Sequence, residues 1–202
     1  MLVGGMPQAV EAYIQTNNFR MVDEVKRDIL NLYEADFAKI DPTGRVSMLF
    51  DAIPAQLNKN MLRFKMFLSD TGLFVTLMFK DRDFTENEIY EKLLNDKLSI
   101  NLGYLYENVV AQCLAAQGNE LYYHTIMNEK SKHNYKIDFI LARKNKIVPL
   151  EIKSSGYKAH RSLDVFTEKF SDRILQRYLV YTKDMKKEQD IICVPIYMVP
   201  FL

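Results

Sequence analysis

The chain has 202 residues and a mass of 23.7 kDa, which is room for one ordinary domain or one domain with a smaller appendage. Hydrophobic residues make up 48% and charged residues 26%, with only seven Gly and six Pro, and this composition excludes collagen-like and low-complexity chains. Residues 1–127 hold 12 Lys and Arg against 17 Asp and Glu, whereas residues 128–202 hold 15 against 9. The basic C-terminal part is compatible with a phosphate-bearing partner.

Nothing in the sequence predicts a membrane segment or a disulfide framework. The longest apolar stretch, Leu73–Phe79, is far shorter than the roughly 20 residues that a membrane span needs. The first ten residues have no basic region and contain Pro7, so we expect no secretory signal. The two cysteines, Cys113 and Cys193, lie 80 positions apart. We therefore expect a reduced, cytoplasmic protein without membrane contacts.

The first hundred residues predict helices. The predicted helices are Gln8–Gln15, Met21–Ile40, Val46–Asn58 with a bend at Pro54, Leu62–Phe79 and Thr85–Leu94. In the second of them, apolar residues recur at steps of three and four and predict one buried stripe; they are Val22, Val25, Ile29, Leu32 and Phe37.

From about residue 99 the pattern changes to short β-rich runs between helices. The elements predicted there are a helix at Leu102–Gln117, strands at Leu121–Met127, Lys136–Arg143 and Ile147–Ser154, a helix at Leu163–Phe170, and strands at Arg177–Thr182 and Ile191–Val199. This order predicts an α/β domain with a mixed central β-sheet flanked by helices, preceded by an all-helical part. We place the helical region at residues 1–98 and the α/β domain at residues 99–202.

Two neighbouring strands carry the residues that can do chemistry. Every position from 137 to 142 is apolar except Asp138, so this strand should be buried on both faces and its carboxylate should need a partner. On the next strand Glu151 and Lys153 share one face. A hairpin turn centred near Asn145 sets Asp138 opposite Glu151. Two carboxylates and a lysine at one point suit Mg²⁺ or Mn²⁺, with Lys153 available to stabilise developing charge.

Weaker interpretations of the same residues stay open. Glu151 and Lys153 can instead form an exposed ion pair of little energetic value. The tripeptide Glu24-Val25-Lys26 has the same spacing, and we predict that it lies on a solvated helix face. Glu107 lies on a mostly apolar stripe of its helix, so it either faces the sheet as a third acid or pairs with a nearby lysine.

Glu107, Asp138 and Glu151-Ile152-Lys153 together resemble the PD-(D/E)xK nuclease pattern of a helix glutamate, a strand aspartate and an ExK tripeptide on the next strand. The resemblance covers about residues 100–202 and implies a restriction-endonuclease-like sheet. It also implies that Asp138, Glu151 and Glu107 bind Mg²⁺ and that Lys153 assists hydrolysis of a nucleic-acid phosphodiester.

A second resemblance spans nearly the whole chain. Its segments are residues 3–10 (VGGMPQAV), 53–57 (IPAQL), 64–73 (FKMFLSDTGL) and 137–140 (IDFI). They resemble a bacterial and archaeal family of uncharacterised ATP-binding proteins, in which an AAA-type ATPase module precedes a conserved C-terminal domain of unknown function. This chain lacks the G-x-x-x-x-G-K-[ST] motif, so we expect no ATPase activity of its own. The longer winged-helix-like stretch that the family has between Leu57 and Phe64 is also missing, which is typical of a fragment or a shortened paralogue.

Two functions from different classes follow. The first is a Mg²⁺-dependent nuclease-like domain that acts on DNA more than on RNA. The second is a catalytically silent module that binds nucleic acid, a second copy of itself or an ATPase partner. Other candidate residues give weaker evidence for a site. The histidines His124, His133 and His160 lack metal-ligand spacing. The pairs Tyr104/Tyr106 and Tyr122/Tyr123 are predicted to pack in the core. The lysines of the run 183–187 solvate a surface or hold phosphates.

Overall fold

A computed structural model describes residues 2–56, 65–80, 103–128, 133–154 and 160–202. The fold divides into two compact units, Met1–Val109 and Val110–Leu202. The first unit is helical, and the second contains a mixed six-stranded sheet with helices, as the sequence predicts. No helix among the described residues is long and apolar enough to cross a membrane.

The helices of the first unit follow the predicted order with one displaced boundary. They are α1 (Pro7–Thr16), α2 (Phe19–Ile40), α3 (Arg45–Asp51), α4 (Ile53–Gln56), α5 (Thr71–Met78) and the start of α6 (Gly103–Ala116). The break between α3 and α4 precedes Pro54, as predicted. The predicted helix Thr85–Leu94 lies outside the described residues.

The predicted helix Leu62–Phe79 is wrong over residues 65–70, because α5 begins only at Thr71. Leu68 cannot be helical, since its N–H and C=O both bond to the side-chain amide of Asn108, at 2.9 and 3.1 Å. Asp70 is the N-cap: its Oδ1 accepts from the N–H of Leu73 at 2.8 Å. The tertiary bonds of Asn108 therefore override the apolar periodicity of this segment.

The predicted stripe of helix α2 is confirmed in part: Val22 is buried, and Ile29 and Phe37 pack against the core of the first unit. Leu32 is exposed, whereas Asp23 and Lys26 are buried. The fully buried Lys26 Nζ donates to the backbone carbonyl of Leu2 at 3.1 Å, and Asp23 accepts from the hydroxyl of Thr76 at 2.9 Å. The prediction that Glu24-Val25-Lys26 lies on a solvated face is therefore wrong for Lys26.

The buried ammonium predicts a pH dependence of stability. Burial lowers the pKa of Lys26 from 10.5 to about 8, although Asp23 and Asp70 oppose the shift; the like charge of Arg27 adds to it. Between these two pH values the unfolded chain binds more protons than the folded one, so stability rises with pH. Between pH 8 and pH 10.5, the free energy of unfolding of the wild type should rise. We expect this rise to exceed that of Lys26→Met by about 3 kcal/mol. Urea denaturation of both proteins across this range measures the difference, and parallel curves would contradict the prediction.

The second unit is built on one sheet with the strand order β1-β2-β3-β4-β6-β5. The strands are β1 (Tyr122–Ile126), β2 (Tyr135–Arg143), β3 (Lys146–Ile152), β4 (Arg177–Tyr181), β5 (Lys186–Glu188) and β6 (Ile191–Pro195). Strands β1, β2 and β3 pair antiparallel, β3–β4 and β4–β6 pair parallel, and β5 pairs antiparallel with β6. Helix α7 (Arg161–Phe170) packs Leu163 and Phe166 on Ile137 and Leu179.

Two details of this sheet differ from the prediction. Strand β5 was not predicted, because its three residues are polar and partly or fully exposed and therefore show no apolar alternation. The predicted strand Ile191–Val199 ends at Pro195, where a 3₁₀ helix (Ile196–Phe201) begins. The mixed sheet flanked by helices is otherwise as predicted.

Candidate metal centre

The β2–β3 hairpin brings Asp138 and Glu151 to one end of the same ladder. Phe139 pairs with Leu150, and the pairing runs to Arg143 and Lys146 around a two-residue turn. The predicted register is therefore confirmed, because its continuation sets Asp138 opposite Glu151. Both side chains are buried, with Asp138 7% and Glu151 3% exposed.

A β-bulge lies at the position of Asp138. Tyr122 pairs with Ile140 and His124 with Ile137, so one extra residue of β2 lies opposite Tyr123. A bulge increases the local twist and redirects the side chains that it carries. Here the Asp138 carboxylate turns toward β3, where its Oδ2 accepts a hydrogen bond from the N–H of Ile152 at 3.0 Å. The bulge and this hydrogen bond together hold Asp138 beside the end of β3.

Each acid has a lysine of its own. Lys153 Nζ lies 2.6 Å from Oε1 of Glu151, and Lys136 Nζ lies 3.5 Å from Oδ1 of Asp138. Oε2 of Glu151 is buried and makes no hydrogen bond of normal geometry among the described residues, although the backbone N–H of Leu163 lies near the carboxylate and favours its charged form. Leaving a buried carboxylate oxygen unpaired costs about 1–3 kcal/mol or more. This oxygen is therefore suited to an additional ligand.

The electrostatics of Glu151 are dominated by its burial. Desolvation raises the pKa of Glu151 above its ordinary value, Lys153 opposes this shift, and the negative charge of Asp138 adds to it. The predicted ion pair between Glu151 and Lys153 is therefore present, but it is not exposed: the Glu151 side chain is 4% and the Lys153 side chain 30% exposed. A buried acid facing a second acid is the arrangement that a cation relieves.

Glu107 belongs to the first unit. It begins the second turn of α6, and its Oε2 lies 2.8 Å from Nζ of Lys65, with both side chains largely buried. The open alternative of an acid paired with a nearby lysine is thus present, and a metal-binding role for Glu107 stays a prediction. Within the described ranges, no three His, Cys, Asp or Glu side chains cluster closely enough to hold a metal ion.

The chemistry of the donors fits Mg²⁺ or Mn²⁺. These ions prefer oxygen ligands, keep several waters, and are commonly held by one or two protein carboxylates together with a substrate phosphate. Asp138 and Glu151 supply two carboxylates, and Oε2 of Glu151 supplies a buried oxygen that makes no hydrogen bond of normal geometry among the described residues. The residues present therefore fit such an ion.

Lys136 was not predicted as a site residue, although the sequence contains a signal for it. The order Lys136-Ile137-Asp138 on β2 mirrors Glu151-Ile152-Lys153 on β3, so each acid has a lysine two positions away on the same strand. Residues two apart on a strand share a face. A search for acids and lysines at this mirrored spacing would have found it.

The histidine and tyrosine candidates pack against other side chains or lie at the surface. His124 packs edge-on against Phe166 and Phe170, with ring centroids 5.7 and 5.6 Å apart, and burial lowers its pKa. Tyr104 and Tyr106 pack against the core of the first unit as predicted, but Tyr122 is half exposed, so its predicted core position is wrong.

Comparison with known proteins gives two matches along the chain. No curated protein and no solved structure matches it significantly. Residues 102–199 match the family model "Domain of unknown function (DUF4143)", which agrees with the predicted resemblance to a conserved C-terminal domain of unknown function. Residues 1–73 match "Domain of unknown function (DUF8612)". The chain thus joins segments that match two families of unknown function, and neither family description assigns an activity.

Proposed function

We propose that the C-terminal part of this protein is a PD-(D/E)xK-like domain that binds Mg²⁺ or Mn²⁺ and hydrolyses nucleic-acid phosphodiesters. The observation that supports this most directly is the buried Glu151 carboxylate beside Asp138, whose Oε2 has no hydrogen bond of normal geometry within the described ranges. Such an oxygen has a free-energy cost in the metal-free protein that a divalent cation removes. The basic composition of residues 128–202 supports a phosphate-bearing substrate.

Each residue has a distinct role in this proposal. Asp138 and Glu151 hold the ion. A bound ion would polarise a phosphoryl oxygen and lower the pKa of a coordinated water. The Lys153 ammonium, 2.6 Å from Oε1, opposes the rise in the pKa of Glu151 and can stabilise negative charge that develops on the phosphate. Among substrates we favour DNA over RNA.

One observation favours a second candidate, a silent module that binds nucleic acid or a protein partner without hydrolysis. Lys136 and Lys153 already balance the charges of Asp138 and Glu151, and the described residues provide no group of three ligands. A fold can keep its acids for stability while its activity is lost.

The test compares cleavage and metal binding in one set of samples. The full-length protein is incubated with supercoiled DNA, single-stranded DNA and RNA, each with Mg²⁺, with Mn²⁺ and with EDTA, and calorimetry measures the binding of Mn²⁺ alone. Cleavage that EDTA abolishes supports the nuclease. Nucleic-acid binding without cleavage and without heat from Mn²⁺ supports the silent module.

A further inference from the structure

The four charged groups at the open end of the hairpin form a symmetric set. The register that pairs Phe139 with Leu150 continues toward Asp138 opposite Glu151, and Lys136 and Lys153 each lie two positions from their acid. Like charges that face each other across two strands destabilise the pair. The observed ion pairs instead run along each strand, between residues two positions apart. The two acids therefore repel each other, and a cation between them would relieve that repulsion.

The two lysines are not equivalent. Lys153 Nζ lies 2.6 Å from Oε1 of Glu151, whose side chain is 4% exposed. Oε2 of the same carboxylate makes no hydrogen bond of normal geometry among the described residues. Lys136 lies 3.5 Å from Oδ1 of Asp138, which keeps the hydrogen bond from the Ile152 N–H through its other oxygen. The Lys136 side chain is 30% exposed, so its ammonium can move into water by rotation about its own side-chain bonds. Losing this contact therefore leaves Asp138 in position.

We propose that the Lys136 ammonium lies where a divalent cation would bind Asp138, and that it must move away when the cation binds. Lys136 therefore sets the metal affinity of the site. The proposal rests on the proposed function, because it takes Asp138 and Glu151 as the ligands. It makes Lys136 a positioning residue that acts through Asp138 and not a catalytic residue.

The physical reason is the charge balance of the pocket. Two carboxylates and two ammonium groups sum to zero, and a divalent ion that enters this neutral set is repelled by both lysines. Without Lys136 the remaining three groups carry one net negative charge. Because Asp138 and Glu151 are buried, this repulsion is only partly screened by solvent.

The test is a calorimetric titration with Mn²⁺ of the wild type, Lys136→Ala, Lys136→Arg and Lys187→Ala, in the absence of nucleic acid. We expect Lys136→Ala to bind Mn²⁺ about tenfold to a hundredfold more tightly. Lys136→Arg keeps the charge and should bind like the wild type. Lys187 is exposed on β5, so Lys187→Ala controls for the change in total charge and should also bind like the wild type.

The outcomes separate this proposal from the proposed function. If the wild type binds Mn²⁺ and Lys136→Ala binds it equally, the role of Lys136 is overturned while the metal site stands. If neither protein binds Mn²⁺, the metal site itself is overturned. The gain in Mn²⁺ affinity should disappear when Lys136→Ala is combined with Asp138→Asn, because Lys136 acts through Asp138. A gain that persists in the double variant would also overturn the proposal, and thermal denaturation of each variant shows that it is folded.

Discussion

Replacing Asp138 with asparagine should lower metal-dependent DNA cleavage at least about a thousandfold. A ligand carboxylate contributes several kcal/mol through the charge of the ion that it holds, and each 1.4 kcal/mol is a factor of about ten in rate. The amide of asparagine has nearly the same shape and keeps an oxygen that accepts from the Ile152 N–H, which the native Oδ2 does at 3.0 Å. The rate of supercoiled-DNA relaxation with Mg²⁺ and with Mn²⁺ measures the effect.

Two further variants show whether the charge of Asp138 is what matters. Asp138→Ala removes the charge and the hydrogen bond to β3 together, so it should cleave no faster than Asp138→Asn and unfold more easily. Asp172→Asn makes the same chemical change at an exposed position of this unit and should leave cleavage unchanged. Cleavage by Asp138→Asn at more than about a tenth of the wild-type rate would contradict the role of Asp138 as a metal ligand.

The largest effect on stability is expected from Gly72→Ala. A Cβ at this position would lie 2.5 Å from the carbonyl oxygen of Val3 and 2.7 Å from both the Cα and N of Gly4. These are backbone atoms, so the N-terminal segment must move away from α5. That movement breaks the bond of the Gly5 N–H to Oδ2 of Asp70, which is 2.5 Å long. Overpacking and lost hydrogen bonds together should lower the free energy of unfolding by about 4 kcal/mol.

The matched control is Gly44→Ala. Gly44 has a φ of +75°, and no described atom beyond its own chain neighbours lies within 4 Å of its Cβ position, so alanine there is strained without a clash. We expect a loss of about 1 kcal/mol from the left-handed backbone alone. Urea denaturation followed by circular dichroism measures both variants. Equal losses for Gly44→Ala and Gly72→Ala would show that the N-terminal segment does not pack against α5 as described.

Local patterns in the sequence predict much of what lies within each element. The helix at Gly103–Ala116 and the strands at Tyr135–Arg143 and Lys146–Ile152 lie within one or two residues of their predicted bounds. The hairpin register was also predictable, because a short turn near Asn145 leaves few ways to pair two strands. A buried Asp138 followed from the apolar residues on both sides of it.

Contacts between residues that are distant in the sequence decided the features of the fold that local patterns did not predict. The bulge at Asp138 depends on the pairing of β2 with β1, and the late start of α5 depends on Asn108, 40 positions from Leu68. Lys26 shows the same limit: its own helix predicts a solvated side chain, and the carbonyl of Leu2, which accepts from the buried Nζ, is 24 positions away.

The sequence by itself determined the α/β class of the C-terminal part and the presence of Asp138 and Glu151 on paired strands. Periodicity and turn chemistry act over a few residues, which is why they suffice for those features. Only the tertiary structure decided that Glu151 is buried beside Asp138 and that Lys136 lies next to that acid. Burial and charge balance depend on every neighbour in space, and most of those neighbours are distant along the chain.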